Sequence, residues 1–76
     1  MRKQQELTDP ASCMSRARDN EMTFVLLGRD IAAPAAVRAW IEARIRMGKN
    51  KPDDAQITEA IQWCETVEAE QTRDQR

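Results

Sequence analysis

The sequence contains neither histidine nor tyrosine, which removes the commonest general base and a common proton donor of enzymes. Its only two glycines, Gly28 and Gly48, are too far apart for a GxGxxG or GxxxxGK phosphate-binding loop. Its densest acidic group, Asp53-Asp54, is explained by the capping of a helix and lacks the further ligands that a metal site needs. These absences predict a chain with no catalytic residues, no metal and no cofactor.

Cysteine is also scarce. Cys13 and Cys64 lie far apart in the sequence, without the CxxC spacing of metal or redox sites. Cys64 falls on an apolar helical stripe, where a buried thiol is inert rather than nucleophilic. Cys13 has no neighbouring base to activate it. We interpret both as reduced thiols, which are typical of a reducing compartment.

Long apolar runs are absent as well. No run reaches 18 residues, and no charged start precedes a hydrophobic stretch with a small-residue cleavage site. We therefore expect no membrane contact and a cytoplasmic location. With 76 residues, the chain is expected to form a single small domain over 1–76. A core of this size rarely suffices alone, so we expect a homo-oligomer, most simply a dimer.

Charge is balanced overall but segregated along the chain. Twelve basic and thirteen acidic side chains give a net charge of -1, which argues against a general nucleic-acid binder. Residues 29–52 hold six basic and two acidic side chains, whereas residues 53–76 hold seven acidic and two basic ones. The sequence thus predicts a basic middle followed by an acidic end.

The N-terminal part carries weak helical signals. Residues 1–7 have no repeating apolar face, so we expect them to be frayed. Asp9 and Pro10 form a helix start signal, which predicts a short helix over about residues 10–18. Because little apolar surface is available to hold this helix, we expect it to order weakly.

Residues 22–27, MTFVLL, form the densest apolar run. Alternation within the run suits a buried strand, while Phe24, Leu27 and Ile31 have helical spacing. The shortness of the run, its β-branched member and the following Gly28 favour an extended segment. Since no second strand is visible in the sequence, such a segment would find its pairing edge across a dimer axis.

Two amphipathic helices follow. The first begins at Ala33-Pro34 and closes at Gly48, and the second begins at a capping box of Asp53 and Gln56 and runs to about Glu70. Because the connection between them is short, the two helices should fold back on each other. The apolar side chains expected in their common seam are those of Trp40, Ile41, Ile45, Ile57, Ile61 and Cys64.

The C-terminal residues 72–76 have no apolar period, so we expect them to fray. The sequence therefore predicts a mainly α fold. Its parts are an antiparallel helical hairpin, a short N-terminal helix and a short extended segment for which a strand stays an alternative.

The text from Met22 to Cys64 contains the pattern FVLLxRDxxAPxxVRxW, followed by Gly48-Lys49-Asn50 and Glu59-Ala60. This pattern resembles a group of short proteins common in bacterial genomes, prophages and tailed phages. The match covers somewhat more than half of the chain. The resemblance implies a phage or prophage origin, and with it a bacterial host cell, but it implies no particular activity.

Charged residues supply the first candidates for partner binding. Arg29 and Asp30 lie between the apolar run and the first long helix. We interpret Asp30 as a cap before Pro34 and Arg29 as solvated, with a partner contact as the alternative. The basic stretch predicts either a contact with phosphates or charge complementarity with the acidic second helix. This stretch comprises Arg44, Arg46, Lys49 and Lys51.

The two tryptophans are the largest apolar side chains. Trp40 lies on the predicted core stripe, so we interpret it as a packing residue. Trp63 lies beside the stripe of the second helix, where it is either the edge of the core or an exposed anchor for a partner.

Small size, segregated charge, missing catalytic groups and the phage-like pattern favour a non-enzymatic protein-binding module. Our leading hypothesis is an inhibitor or modulator of a host protein, for example an anti-CRISPR or other anti-defence protein. One alternative is a small nucleic-acid-associated regulator that uses the basic segment 38–51. Another is a structural assembly subunit.

Overall fold

The computed structural model describes residues 2–74 of the chain. The described residues contain no β-strand. They form four helices: α1 (Lys3–Thr8), α2 (Cys13–Arg16), α3 (Ala33–Arg46) and α4 (Ala55–Asp74). Helices α3 and α4 pack against each other as an antiparallel hairpin, and α1 packs against α2. The predicted mainly α fold, with a helical hairpin at its centre, is confirmed.

The turn before α3 is built by an aspartate. The Asp30 carboxylate accepts a hydrogen bond from the backbone N–H of Ala32 at 2.9 Å, and the Asp30 carbonyl accepts one from Ala33 at 3.0 Å. Pro34 then occupies the first turn of α3, where a missing N–H costs nothing. Asp30 therefore caps the turn before Pro34, as predicted, while the N-cap residue of α3 itself is Ala32, which makes no side-chain cap.

A glycine closes α3, as predicted. Gly48 adopts a φ of 73°, and its N–H donates to the carbonyl of Ile45 at 3.0 Å. The N–H of Lys49 donates to the carbonyl of Arg44, also at 3.0 Å. These two bonds form a Schellman motif, which satisfies carbonyls at the helix end that would otherwise lack partners.

The start of α4 differs from the predicted capping box. The side-chain oxygen of Gln56 accepts a hydrogen bond from the Asn50 amide at 3.2 Å instead of reaching back to the backbone N–H of Asp53. Asp54 organises the connection, because its carboxylate accepts from the N–H of Lys51 at 2.9 Å and from the Asn50 amide at 3.1 Å. The short connection is thus held by Asn50 and Asp54 together.

The seam between α3 and α4 is apolar, but it contains fewer of the predicted side chains than expected. Its core consists of Ile41, Ile57 and Ala60, with Val37, Ile45 and Ile61 packed against them. Ile57 and Cys64 have no exposed surface, and burial of an isoleucine side chain contributes about 1.5–3 kcal/mol. The prediction that Trp40 belongs to the seam is wrong, because this side chain is 40% exposed. Neighbouring residues on a helix point about 100° apart, so a stripe centred on Ile41 leaves Trp40 at its flank.

The N-terminal residues include a short helix that the sequence analysis did not predict. This helix, α1, has six residues. Arg2 directly precedes it, and the Arg2 guanidinium lies 2.8 Å from the Glu70 carboxylate on α4. The α2 helix is shorter than predicted, and Ser12 caps it by accepting the N–H of Ser15 at 3.1 Å. The Ser12 hydroxyl also donates to the Glu6 carbonyl at 2.6 Å, which joins the two short helices.

The C-terminal helix is longer than the sequence indicated. α4 extends to Asp74 rather than ending near Glu70. The predicted fraying of residues 75–76 lies outside the described residues.

Residues 21–27 follow α2 and run without helix, turn or bend to the turn that begins at Gly28. The predicted extended segment is therefore confirmed, and it has no strand partner among residues 2–74. No helix in the described part of the chain is both long and apolar enough to cross a membrane.

Candidate partner-binding surfaces

The seven residues predicted to bind a partner do not form one site. Arg29 and Asp30 precede α3, whereas the basic stretch lies at and beyond the other end of this helix. A helix of 14 residues is about 20 Å long, so the two groups lie at opposite ends of the hairpin.

The basic stretch lies at the corner between α3 and α4. The Arg44 side chain is tied down, because its Nε donates to the Asn50 side-chain oxygen at 2.6 Å. Arg46, Lys49 and Lys51 are exposed, and none of them forms an ion pair with a carboxylate of residues 2–73. Within that range, these three cations make no direct ion pair with the acidic second helix.

The turn that carries Arg29 and Asp30 is fixed to the far end of α4. The Gln71 amide donates to the carbonyl of Gly28 at 3.0 Å and to that of Asp30 at 2.7 Å. The side chain of Arg29 is exposed, in agreement with the solvated interpretation. This clamp fixes the point at which the extended segment leaves the hairpin.

The two tryptophans differ in exposure. Trp63 is half-buried on α4, which favours the core-edge alternative over an exposed anchor. Trp40 is the more exposed of the two, and the guanidinium carbon of Arg44 lies 5.7 Å from the centre of its ring. A cation at this distance over an indole face is attracted by the electron density of the ring.

Met47 follows Arg44 on the same side of α3, with 65% of its surface exposed. Residues 40, 44 and 47 have the i, i+4, i+7 spacing that brings side chains onto one helical face. We call Trp40, Arg44 and Met47 the Trp40 patch. The sequence analysis did not predict this patch. The position of Trp40 directly before Ile41 was nevertheless a signal that the Trp40 side chain lies outside the apolar stripe.

A second exposed apolar surface is the extended segment, defined here as residues 22–27. Met22 is 96% exposed and Phe24 is 86% exposed, while Leu26 is half-buried. Such exposure of an aromatic side chain and its apolar neighbours marks a contact surface. Its start borders a shallow groove beside α2 that Cys13 and Arg16 also line.

Two ion pairs link other elements to the acidic half of α4. Arg38 on α3 pairs with Glu68, and Arg2 pairs with Glu70. The hydrogen bond from Arg2, followed by its charge, lowers the pKa of Glu70 below its usual range. These contacts use α4 carboxylates to position the other helices.

The thiols differ in their surroundings. Cys13 is exposed, whereas Cys64 is buried between the helices, with its sulfur 3.8 Å from the carbonyl oxygen of Pro34. Burial raises the pKa of Cys64, partly offset by the positive charge of Arg38. A buried neutral thiol of this kind is a packing group. Within the described residues, no cluster of three or more histidine, cysteine or acidic side chains could hold a metal ion.

Comparison with known proteins gives no relative from which a role could be transferred: no family model, no curated protein and no solved structure matches the chain.

Proposed function

We propose that the chain is a non-enzymatic protein-binding module that acts as a homodimer and contacts a host protein through the Trp40 patch. In keeping with the phage-like pattern, the module works in the cytoplasm of a bacterial cell as an inhibitor or modulator of that host protein. An anti-CRISPR or other anti-defence role is one instance of this activity.

The observation that carries the proposal is the exposed Trp40 with the Arg44 guanidinium over its ring. Tryptophan and arginine are the residue types most enriched among interface residues that dominate binding energy. Methionine is also enriched at interfaces, because its flexible side chain adapts to a partner surface. Arg44 is already held by Asn50, so little side-chain freedom is lost when a partner binds.

A capture experiment tests this contact. The full chain is immobilised, incubated with bacterial lysate, and the retained proteins are quantified by mass spectrometry. Trp40→Ala should reduce retention of the specific partner by about tenfold or more, since truncation of a dominant interface residue costs about 2 kcal/mol or more.

Glu42→Ala is the matched control, because Glu42 is an exposed residue of α3 that lies two positions beyond Trp40 and outside the Trp40 patch. It should leave retention unchanged. Circular dichroism of both variants verifies that the helices persist. A partner that is retained equally by wild type and Trp40→Ala, or the absence of any protein retained in near-stoichiometric amount, would contradict the proposal.

A second candidate function is nucleic-acid binding at the hairpin corner. The exposure of Arg46, Lys49 and Lys51 without carboxylate partners in residues 2–73 favours it. Binding of this kind should weaken steeply with salt, because phosphate contacts release counterions. Unchanged mobility of duplex DNA and of RNA at low salt would eliminate this candidate.

A further inference from the structure

The backbone of the extended segment is unpaired except at its end, where the carbonyl of Leu27 accepts from the N–H of Asp30 at 3.0 Å. None of the backbone N–H groups from Met22 to Leu27 donates a hydrogen bond to any group of residues 2–74. An extended stretch with open N–H and C=O groups on its edges is a template for pairing with another strand. Its apolar side chains are exposed at the same place, so pairing would bury both kinds of surface together.

The surface area of the chain exceeds what a compact monomer exposes. Its accessible surface is 6472 Å², whereas a folded monomer of 8.7 kDa exposes about 4,700 Å². The excess is roughly 1,700 Å², and a standard interface buries about 800 Å² on each partner. A dimer contact of standard size would therefore cover about half of this excess.

Symmetry limits how two copies of the segment can pair. In an antiparallel pair, opposite residues alternate between hydrogen-bonded and non-hydrogen-bonded positions. A twofold axis makes the two strands equivalent, so one residue must lie directly opposite its own copy, with the axis passing midway between the two. With Val25 at the axis, Phe24 lies opposite Leu26 of the other copy and Thr23 opposite its Leu27, and pairing ends at Leu27, where the chain enters the turn.

This register is complementary in charge. Residues 22–28 carry no charged side chain, and they are flanked by Glu21 on one side and Arg29 on the other. With Val25 at the axis, Glu21 of each copy lies at the same end of the ribbon as the turn that carries Arg29 of the other copy. Opposite charges in facing positions stabilise strand pairs, and like charges destabilise them.

The register also covers exposed apolar surface. Phe24 and Leu26 point to the same face of an extended chain, because their positions differ by two. Leu26 is half-buried against its own chain, while Phe24 is 86% exposed. The register places Phe24 opposite the partner's copy of Leu26, and thus beside the body of the partner molecule.

We infer that residues 23–27 form an antiparallel two-stranded ribbon with a second copy of this chain, with Val25 at the twofold axis. This inference rests on the homodimer part of the proposed function and is independent of the Trp40 patch. The partner is specified by the segment itself, through its open backbone, its uncharged centre and its opposite charges at the two ends.

The mass of the full chain in solution is the first test. Light scattering over a range from micromolar to near-millimolar chain concentration should give twice the 8.7 kDa chain mass at the upper end. A single chain mass across the whole range would overturn the inference.

Disulfide cross-linking tests the register. Val25→Cys, in a Cys13→Ser background that removes the exposed thiol, places two thiols opposite each other on the axis. Their Cα atoms would lie about 4.5–5.5 Å apart, within the range for a disulfide. In a glutathione redox buffer, this variant should form at least tenfold more covalent dimer than the matched Thr23→Cys variant.

Thr23→Cys is the matched control, because its two copies would be offset by four residues, or about 13 Å along the ribbon. Equal cross-linking of the two variants, or none in either, would overturn the Val25 register. Circular dichroism of each variant verifies that its helices persist, so that a loss of cross-linking cannot be caused by unfolding. A chain that forms the Val25 dimer but retains no lysate protein supports this inference while contradicting the host-protein contact.

Discussion

At the scale of single residues, the two glycines meet different requirements. Gly48 has a positive φ, and a Cβ added there would meet nothing within 4 Å, so only backbone strain opposes a side chain. The backbone of Gly28 does not adopt a positive φ, and a Cβ there would lie 3.5 Å from a methyl carbon of Val67, which is an ordinary contact. The two positions therefore separate backbone strain from packing.

We expect Gly48→Ala to lower the free energy of unfolding by about 1–2 kcal/mol, the cost of a left-handed conformation for a residue with a Cβ. Gly28→Ala should be neutral or stabilising by up to about 1 kcal/mol, because alanine restricts the unfolded chain. Urea denaturation followed by circular dichroism measures both at one chain concentration. Equal losses at the two glycines would contradict the role of Gly48 in closing α3.

The two cysteines should differ sharply in reactivity. Cys13 is exposed, while Cys64 is buried with a raised pKa, so its thiolate is scarce and shielded. With a thiol reagent such as DTNB, we expect one fast phase from Cys13 and one slow phase from Cys64 that follows opening of the hairpin. Cys13→Ser should abolish the fast phase alone. Two fast thiols in the folded chain would show that the seam is open.

At the scale of elements, α1 is held by contacts that the local sequence does not predict. Its six residues include none that is buried, and their attachment depends on Arg2 with Glu70 and on Ser12 with the Glu6 carbonyl. Arg2 and Glu70 are 68 positions apart, so nothing in the sequence around α1 predicts their contact. The hairpin, in contrast, was predictable because its apolar spacing, Pro34 and Gly48 are local signals.

The tether of α1 should depend on pH. The folded pKa of Glu70 is lowered, so its contribution to stability is complete above the ordinary carboxyl value of about 4.3 and is lost as the pH falls through the folded value. At pH 7, Glu70→Gln should speed hydrogen exchange of the α1 amides relative to wild type. Near pH 2 the two proteins should exchange alike. A difference that persists unchanged in acid would exclude the ion pair as the cause.

At the scale of the whole molecule, the sequence predicted which helices exist better than which surfaces they leave uncovered. The spacing of Val37, Ile41 and Ile45 defines a stripe, but a stripe about 100° wide does not decide whether a neighbour such as Trp40 lies inside or outside it. The segment around Val25 posed a different problem. Its extended form was predictable, but a strand is completed by its partner, and this chain contains none among its described residues.

The radius of gyration also indicates that the single chain is less compact than a typical folded monomer. It is 13.4 Å, while a compact chain of this length has about 11 Å. The hairpin seam is formed by few buried side chains, and much apolar surface stays outside it. Because small cores contribute little stability by themselves, we infer that dimer formation supplies part of the stability of the fold.

Thermal unfolding should therefore depend on chain concentration. If folding and pairing are coupled, a hundredfold increase in concentration should raise the midpoint of wild-type unfolding by roughly 5–10 °C, because association stabilises only the folded state. Val25→Lys places two like charges opposite each other on the twofold axis, which should lower the midpoint and remove its dependence on concentration. Thr23→Lys is the matched control, since its lysine faces Leu27 and the dependence should persist. A wild-type midpoint that stays constant over this range would show that the hairpin is stable as a monomer.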